Sequence, residues 1–263
     1  IWRRTLGNIK ITDRDLRLLL DLYQNTFLAL YQIRDRHFNK CARSTIYNRL
    51  SKLIKGELIE SMRVNLNAIQ RQSEDIGAIY YVTKKGFRLM IKYHSKSIKR
   101  VSPVPINLNQ LQHDLILTDT IKMLDSQFHN AQVVNSKLFV NSFKEERQVP
   151  DGVILFKNKK YALEVELTAK SNMRYRDIIS NYRTSSEFES VLYLVKDVAI
   201  QGKMGAIITG VQNSYRKSDD TDKFYFCTLS AFFNERRQGS FSNGVNFLGG
   251  AVNNESEIFR GDI

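Results

Sequence analysis

Apolar side chains recur at helical spacing in three short stretches of the first 60 residues. Thr12 precedes the first stretch, and acidic residues follow it in the turn where a helix dipole favours them, which predicts a helix over about 12–24. A second apolar stretch runs over 27–33, and a third predicts a helix over 44–55 that Gly56 ends. The pattern therefore predicts three short helices in succession.

The period of the apolar residues then changes from helical to alternating. Residues 58–63 and 79–83 predict the two strands of a hairpin, and a further helix follows as far as residue 91. Helix, helix, helix, hairpin and helix is the order of a winged helix-turn-helix, whose third helix enters the major groove of DNA. We therefore expect a winged helix-turn-helix domain over residues 1–100.

The rest of the chain alternates between helical and strand-like stretches. Pro103 and Pro105 interrupt residues 92–107, which predicts a linker. Helices are predicted over 109–128, 172–187 and 203–217, and strands over 132–135, 137–140, 148–156, 161–167, 191–195 and 223–229. This pattern indicates a second domain of the α+β or α/β class over residues 101–233. Residues 234–263 are rich in Gly, Asn and Ser and predict an irregular tail.

The surplus of positive charge is confined to the first part of the chain. Residues 1–100 contain 21 Lys and Arg against 8 Asp and Glu, whereas residues 101–263 contain 19 of each kind. Because a basic surface binds a polyphosphate through counterion release, we expect double-stranded DNA as the partner. The third helix and the wing would supply the contacts to bases and phosphates, and the candidates are Arg43, Thr45, Tyr47, Asn48, Arg49, Lys52, Lys55, Arg71 and Lys84. A winged helix that binds protein, with a basic face that is merely solvated, is the alternative.

Other function classes receive little support from the composition. No apolar run approaches the roughly 20 residues that span a bilayer, and nothing at the start resembles a secretory signal, so we expect no membrane insertion and a cytoplasmic chain. Cys41 and Cys227 are too few and too far apart for a disulfide framework or a cysteine-based zinc site. The four histidines include no H-x-H or H-x-x-x-H pair, so a histidine-clustered metal site has no support either.

Three carboxylates lie in the predicted hairpin of the second domain. If its turn is centred on residues 158–159, Asp151 pairs with Glu166 and Val153 with Glu164. Alternation along the strands then places the three acids on one face and the apolar residues on the other. We expect the apolar face to form a core and the acidic face to form a pocket.

Carboxylates that lie about one strand spacing apart repel each other unless a hard cation neutralises them. Ligation by oxygen without histidine suits Mg²⁺ or Mn²⁺. Such an ion can polarise a phosphodiester and activate a water, and Lys170, just beyond the second strand, can stabilise the transition state or orient that water. Two acids at i and i+2 on a strand usually mark only a solvent-facing side. Convergence in one hairpin beside a DNA-binding domain favours a metal site at Asp151, Glu164 and Glu166.

These residues resemble the PD-(D/E)xK, or restriction-endonuclease-like, superfamily, whose pattern is Pro-Asp on one strand and (D/E)-x-K on the next. Here Pro-Asp stands at 150–151 and Glu-Val-Glu at 164–166, with Glu166 where the family usually has lysine. The resemblance implies an αβββαβ core and phosphodiester hydrolysis by an activated water. It also implies that the first helix of this core, which carries His113, can approach the metal; a partly buried histidine without that role is the alternative.

The winged helix before this domain, Leu-Gln-His-Asp-Leu at 111–115 and the helix around 174–182 further resemble replication-relaxation proteins and MobC-type plasmid relaxases. That resemblance implies site-specific nicking at a plasmid transfer or replication origin, within a relaxosome that contains accessory proteins. The alternatives are a non-catalytic replication or transcription regulator and a restriction-type endonuclease that cuts both strands as a symmetric homodimer. The sequence does not separate nicking from double-strand cleavage, and it leaves the oligomeric state open.

Overall fold

The computed structural model describes residues 5–6, 9–64, 78–94, 103, 105–127, 131–138, 148–215, 223–233 and 242–243. The chain divides into two compact units, Ile1–Asp119 and Thr120–Ile263, and each combines helices with strands. The mixed α and β class that the sequence predicts is therefore confirmed. The division lies inside a helix, however, and not near residue 100.

Helices and two small sheets form the described part of the first unit. Its elements are, in chain order, β1 (Thr5–Leu6), β2 (Ile9–Lys10), α1 (Asp13–Gln24), β3 (Leu28–Ala29), α2 (Leu30–His37), α3 (Arg43–Lys55), β4 (Ile59–Arg63), β5 (Ala78–Val82) and α4 (Lys84–His94). β1 and β2 pair antiparallel, and a three-stranded antiparallel sheet has the order β3-β5-β4. The apolar pattern predicted the helices, β4 and β5, but none of the two-residue strands.

Helix α1 begins where the sequence predicts because its first turn is capped in both directions. The Thr12 hydroxyl accepts a hydrogen bond from the Asp15 backbone N–H at 3.3 Å, and the Asp15 carboxylate accepts one from the Thr12 N–H at 2.7 Å. This reciprocal capping satisfies backbone donors that have no partner within the helix. Leu16, Leu19 and Leu22 then form a buried stripe along the helix.

Helix α4 starts beside the chain segment that leads into β4, and a glycine makes this approach possible. The Gly86 N–H donates to the Thr83 hydroxyl at 3.0 Å, so Thr83 caps the first turn. A Cβ atom at residue 86 would lie 2.0 Å from the Leu58 carbonyl oxygen. Only glycine fits at this position without movement of the backbone.

The next helix, α5 (Leu111–Gln127), starts in the first unit and ends in the second. Leu111 and Leu115 join a buried apolar cluster that includes residues of β3 and β5. The Gln32 side chain of α2 donates to the Leu115 carbonyl oxygen at 3.2 Å and to Asp119 Oδ1 at 2.8 Å. These contacts place the first half of α5 in the first unit, so the predicted boundary near residue 100 is too early.

The second unit is built on a six-stranded sheet with the order β11-β10-β9-β8-β7-β6. After α5 its elements are β6 (Gln132–Asn135), β7 (Gly152–Phe156), β8 (Lys159–Glu166), α6 (Asn172–Thr184), β9 (Ser190–Val195), α7 (Val198–Tyr215), β10 (Phe224–Thr228), α8 (Leu229–Phe233) and β11 (Ser242–Asn243). β8, β9 and β10 are parallel, and the other neighbours are antiparallel. Within residues 234–263, predicted to be irregular, β11 pairs with β10, and the rest of that stretch lies outside the described residues.

Two other elements of this unit differ from the prediction. Residues 136–138 form a 3₁₀ turn rather than the start of a strand, and 139–140 lie outside the described residues. Helix α7 begins at Val198 and not at residue 203. The reason is a cap, since the Ile200 N–H donates to the Asp197 carboxylate at 3.0 Å and so starts the helix earlier than the apolar spacing indicates.

One face of this sheet packs against α6 and α7. Alternate residues of β8, β9 and β10 form the face, and they share a buried cluster with Tyr175, Ile179 and Tyr182 of α6 and with Met204 and Ile208 of α7. Side chains of β7, β8 and β9 on the opposite face are buried as well. The sheet is therefore covered on both sides in this region, as is usual where parallel strands are joined by helices.

Candidate functional site

The hairpin of β7 and β8 turns one residue earlier than the sequence predicts. Its central residues are Lys157 and Asn158, with φ angles of 47° and 62°. Two-residue hairpin turns of the common type require positive φ at both central positions, and asparagine tolerates this conformation well. As a result Val153 pairs with Ala162, whereas Glu164 was its predicted partner.

The corrected register brings a different pair of acids together. Its continuation places Asp151 beside Glu164, so the predicted pairing of Asp151 with Glu166 is wrong. The three acids still belong to one face, because a register change of two residues leaves the alternation intact. That face packs against α6 and α7, and Glu166 is only 5% exposed. The apolar face is buried as predicted, but the acidic face is packed against helices and does not form the open pocket that the sequence predicts.

Asp151 and Glu164 form a hydrogen-bonded pair of carboxyl groups. Asp151 Oδ2 also accepts from the Val165 N–H at 2.8 Å, and Glu164 Oε1 accepts from the Gln148 amide at 3.3 Å and from the Tyr182 hydroxyl. Burial, followed by the negative charge of Asp151, raises the pKa of Glu164 well above its usual value. The pair therefore binds a proton more tightly than a carboxylate in water does.

Glu166 is paired with a lysine, whereas the other two acids are paired with each other. The Lys170 ammonium forms an ion pair with the Glu166 carboxylate, and the Lys170 side chain is 29% exposed. Its backbone is held as well, since the Lys170 N–H donates to the Tyr175 hydroxyl at 3.1 Å and Lys203 Nζ donates to the Lys170 carbonyl oxygen at 2.7 Å. Lys170, predicted as a basic helper, thus lies beside one of the predicted acids.

A cleft opens next to this ion pair, where the parallel strands β8 and β9 end. Its volume is about 450 Å³, and it is lined by Leu167, Thr168, Ala169, Lys196, Asp197, Ala199, Ile200 and Lys203. Two of the lining side chains are lysines, and Lys196 is exposed. The cleft can therefore admit part of an anionic ligand close to Glu166 and Lys170.

The side chains of this region supply some, but not all, of the oxygen ligands that a hydrated divalent cation needs. Across the described ranges, no three His, Cys, Asp or Glu side chains are arranged as a cluster that could hold a metal. Asp151 and Glu164 do supply two adjacent carboxyl groups, and Mg²⁺ is commonly bound by one or two carboxylates together with retained waters. Beside them lies the buried Tyr193 hydroxyl, which has no hydrogen-bond partner among the residues described. Glu166 is engaged by Lys170 in this arrangement.

His113 and the three acids belong to different units of the chain. His113 belongs to the half of α5 that packs in the first unit, whereas the acids belong to the second. Its ring Nδ1 lies 3.3 Å from the Asp114 carboxylate, and the Asp114 side chain is nearly buried. The predicted approach of His113 to a metal therefore stays a prediction.

Helix α3 presents most of the predicted DNA contacts to solvent. The exposed candidates on this helix are Arg43, Thr45, Tyr47, Asn48, Lys52 and Lys55. Arg43 donates to the Tyr47 hydroxyl at 3.2 Å, and Lys84 is exposed at the start of α4. Arg71 lies outside the described residues. The exposed set is basic and polar, as direct contact with DNA requires.

Arg49 does not belong to that exposed set. Its guanidinium forms a two-pronged ion pair with Asp15 of α1, with Nε 2.8 Å from Oδ1, and it donates to the Lys10 carbonyl oxygen at 2.8 Å. Burial raises the pKa of Asp15, but hydrogen bonds from Arg49 and Thr12 outweigh it and leave that pKa below the usual value. Arg49 therefore connects α3 to α1. The prediction that its guanidinium faces base edges is wrong, because that group is engaged within the protein.

Sequence reasoning missed several residues that complete the acidic region, namely Gln148, Tyr182, Tyr193 and Lys203. The seven-residue spacing of Tyr175 and Tyr182 places both on one helix face, and both are buried in the core. That spacing does not reveal that Tyr182 donates to a carboxylate. Tyr193 lies in a continuous apolar stretch of β9, and nothing in the neighbouring sequence distinguishes it from a core residue.

Comparison of the chain with family models, with curated proteins and with solved structures finds no match. Among the described helices, none is long and apolar enough to cross a membrane. Function therefore has to be inferred from the carboxyl pair, the Glu166–Lys170 ion pair and the exposed face of α3.

Proposed function

We propose that the chain is a metal-dependent DNA endonuclease that nicks one strand at a plasmid transfer or replication origin. The pair of Asp151 and Glu164 carries this proposal, because two adjacent carboxyl groups that are partly buried are costly to ionise together in the absence of a cation. Strongly shifted pKa values of this kind cluster at functional sites. The ion pair of Glu166 and Lys170 adds a further acid on the same face and a cation beside it.

The element order of the first unit supports a DNA-binding winged helix. Helices α1, α2 and α3, the sheet β3-β5-β4 and α4 follow the winged helix-turn-helix sequence, in which α3 enters the major groove and the β4–β5 hairpin is the wing. In the second unit, α5, β6, β7, β8, α6 and β9 follow the αβββαβ order of the restriction-endonuclease-like core. Double-stranded DNA is the proposed partner, with accessory proteins at the origin.

A bound Mg²⁺ or Mn²⁺ supplies Lewis-acid stabilisation and makes a water acidic enough to attack a phosphodiester. Asp151 and Glu164 would hold the ion, and the proton that the pair binds would be lost to solvent when they do so. Glu166 would be available as a further ligand if its ion pair with Lys170 opened, and Lys170 would then be available to contact a phosphate oxygen. The lysines of the cleft, Lys196 and Lys203, hold the backbone of the cut strand beside the acids.

A non-catalytic DNA-binding regulator is the second candidate, and one observation favours it. The acids already have protein partners, since Glu164 accepts from Tyr182 and Gln148 and Glu166 pairs with Lys170. In this alternative these contacts serve the fold of the second unit, and the exposed face of α3 remains the DNA-binding surface.

The test uses a supercoiled plasmid that carries the DNA flanking the gene that encodes this chain. The plasmid is incubated with the protein and Mg²⁺ or Mn²⁺, and its cleavage is followed on agarose gels. We expect nicked circles from the parent chain. The nicking rates of Asp151→Asn and Glu164→Gln should be reduced about 100-fold or more, because each variant loses one ligand of the ion. Both variants should retain DNA affinity in gel-shift assays. Glu189→Gln is the matched control, since Glu189 is an exposed acid of the same unit that pairs with Lys159.

The products decide between the candidate functions. Linear plasmid would indicate double-strand cutting and not nicking. Nicking by both acid variants at the parental rate would contradict the endonuclease proposal. DNA binding by the parent chain without cleavage under either metal would favour the regulator.

A further inference from the structure

The hydroxyl of Tyr193 is a buried polar group that no described residue meets in a hydrogen bond. Tyr193 is 2% exposed. A buried hydroxyl without a partner destabilises the fold, and folded proteins contain few of them. Buried tyrosines usually have their hydroxyl within reach of a partner. The position of this hydroxyl therefore suggests a partner outside the described residues.

Tyr193 lies directly beside the carboxyl pair. Its position on β9 pairs with Glu164 of β8 in the parallel register, so both side chains share one face of the sheet. Burial, followed by the negative charges of Glu164, Glu166 and Asp151, raises the pKa of Tyr193. The hydroxyl therefore stays protonated and lies within electrostatic range of all three acids.

The ring of Tyr193 is held in place by the neighbouring strand. It stacks on Phe226 of β10 with ring centroids 5.3 Å apart and an interplanar angle of 14°, and the Phe224 ring centroid lies 6.5 Å away. This packing depends on the ring and not on the hydroxyl. A phenylalanine at residue 193 therefore preserves the packing and removes only the polar atom.

We infer that the Tyr193 hydroxyl accepts a hydrogen bond from a water of the hydrated divalent cation that Asp151 and Glu164 bind, and so fixes the orientation of that water. This inference rests on the proposed function. A Mg²⁺ or Mn²⁺ ion held by two carboxylates keeps several waters, and each of these waters is a strong donor that needs an acceptor. A neutral tyrosine hydroxyl is a suitable acceptor, because its oxygen has lone pairs and no described residue donates to it.

The test measures Mn²⁺ binding by electron paramagnetic resonance and thermal melting of the full chain, for the parent and for Tyr193→Phe. Without Mn²⁺, we expect the variant to melt at the parental temperature or above it, because an unpaired buried hydroxyl has been removed. With Mn²⁺, we expect the dissociation constant to rise about 10-fold or more, as is typical when a hydrogen-bond partner of a metal ligand is lost. Tyr161→Phe is the matched control, because Tyr161 is a buried tyrosine of β8 on the opposite face; its Mn²⁺ affinity should equal that of the parent.

Each other outcome overturns the inference. An unchanged Mn²⁺ affinity in Tyr193→Phe shows that the hydroxyl does not contact the hydrated ion, and the proposed function then stands as long as Asp151→Asn abolishes binding. A lower melting temperature or loss of fold without Mn²⁺ shows that the hydroxyl has a structural partner. If the parent binds no Mn²⁺ that depends on Asp151, the proposed function fails and this inference fails with it.

Discussion

Replacement of Arg49 by alanine distinguishes a residue of α3 that holds the fold from the residues of α3 that are proposed to contact DNA. Arg49→Ala removes the guanidinium that pairs with Asp15, whose side chain is 0% exposed, and leaves a buried carboxylate without its cation. Removal of one partner of a buried ion pair costs about 3–5 kcal/mol. Thr12 still donates to Asp15 through its N–H at 2.7 Å and its hydroxyl at 2.6 Å, which places the expected loss near the lower limit, about 3 kcal/mol.

Two measurements on the full chain check this loss. A decrease of about 3 kcal/mol lowers the melting temperature of a unit of this size by roughly 10 °C. Urea unfolding followed by circular dichroism gives the change in the free energy of unfolding. Hydrogen exchange of residues 13–24 and 43–55 then shows whether the first unit is the part that becomes less stable. DNA affinity is compared at a temperature at which both proteins are folded.

Lys52→Ala is the matched control for Arg49→Ala, because Lys52 is exposed on the same helix. Its free energy of unfolding should stay within about 0.5 kcal/mol of the parent. The slope of log affinity against log salt concentration should fall by about 1, since one phosphate contact is lost. Unchanged stability of Arg49→Ala together with lost DNA binding would refute the reasoning, because it would show that Arg49 serves DNA and that its ion pair is incidental.

Two further predictions concern the first unit. Burial raises the pKa of Asp15, but hydrogen bonds from Arg49 and Thr12 outweigh it and keep that pKa below its usual value, so the contribution of Asp15 to stability is complete above about pH 4 and is lost as the pH falls through the lower folded pKa. As the pH is lowered, the free energy of unfolding should therefore decrease less steeply for Arg49→Ala than for the parent. Parallel curves would show that the pairing with Arg49 does not cause the acid dependence. A fragment of residues 1–127 should unfold at a higher urea concentration than one of residues 1–100, because only the longer fragment keeps the contacts of Leu111 and Leu115; equal midpoints by circular dichroism would argue against a unit boundary within α5.

The acidic site shows which features of a hairpin can be predicted. Alternation along the strands was sufficient to predict that Asp151, Glu164 and Glu166 share a face, because a register change of two residues does not alter the face. The partner of Asp151 was not predictable in this way. It depends on which two turn residues adopt positive φ, and the sequence Lys-Asn-Lys-Lys at 157–160 allows more than one choice.

Local interactions explain what the sequence determined by itself. Four features depend only on near neighbours or on composition. They are the cap at Thr12, the end of α3 at Gly56, the alternation of β8 and the concentration of positive charge before residue 100. Such features act within one turn of helix or one strand, so they can be identified without knowledge of the fold.

The tertiary structure decided which distant side chains meet. Arg49 and Asp15 are 34 residues apart in sequence, and Tyr182 and Glu164 are 18 apart. Whether Arg49 faces DNA or a buried carboxylate, and whether a tyrosine of α6 or a metal ion contacts Glu164, depends on how helices pack on one another and on the sheet. Packing is set by many long-range contacts at once, and the amino-acid pattern of a single element does not contain that information.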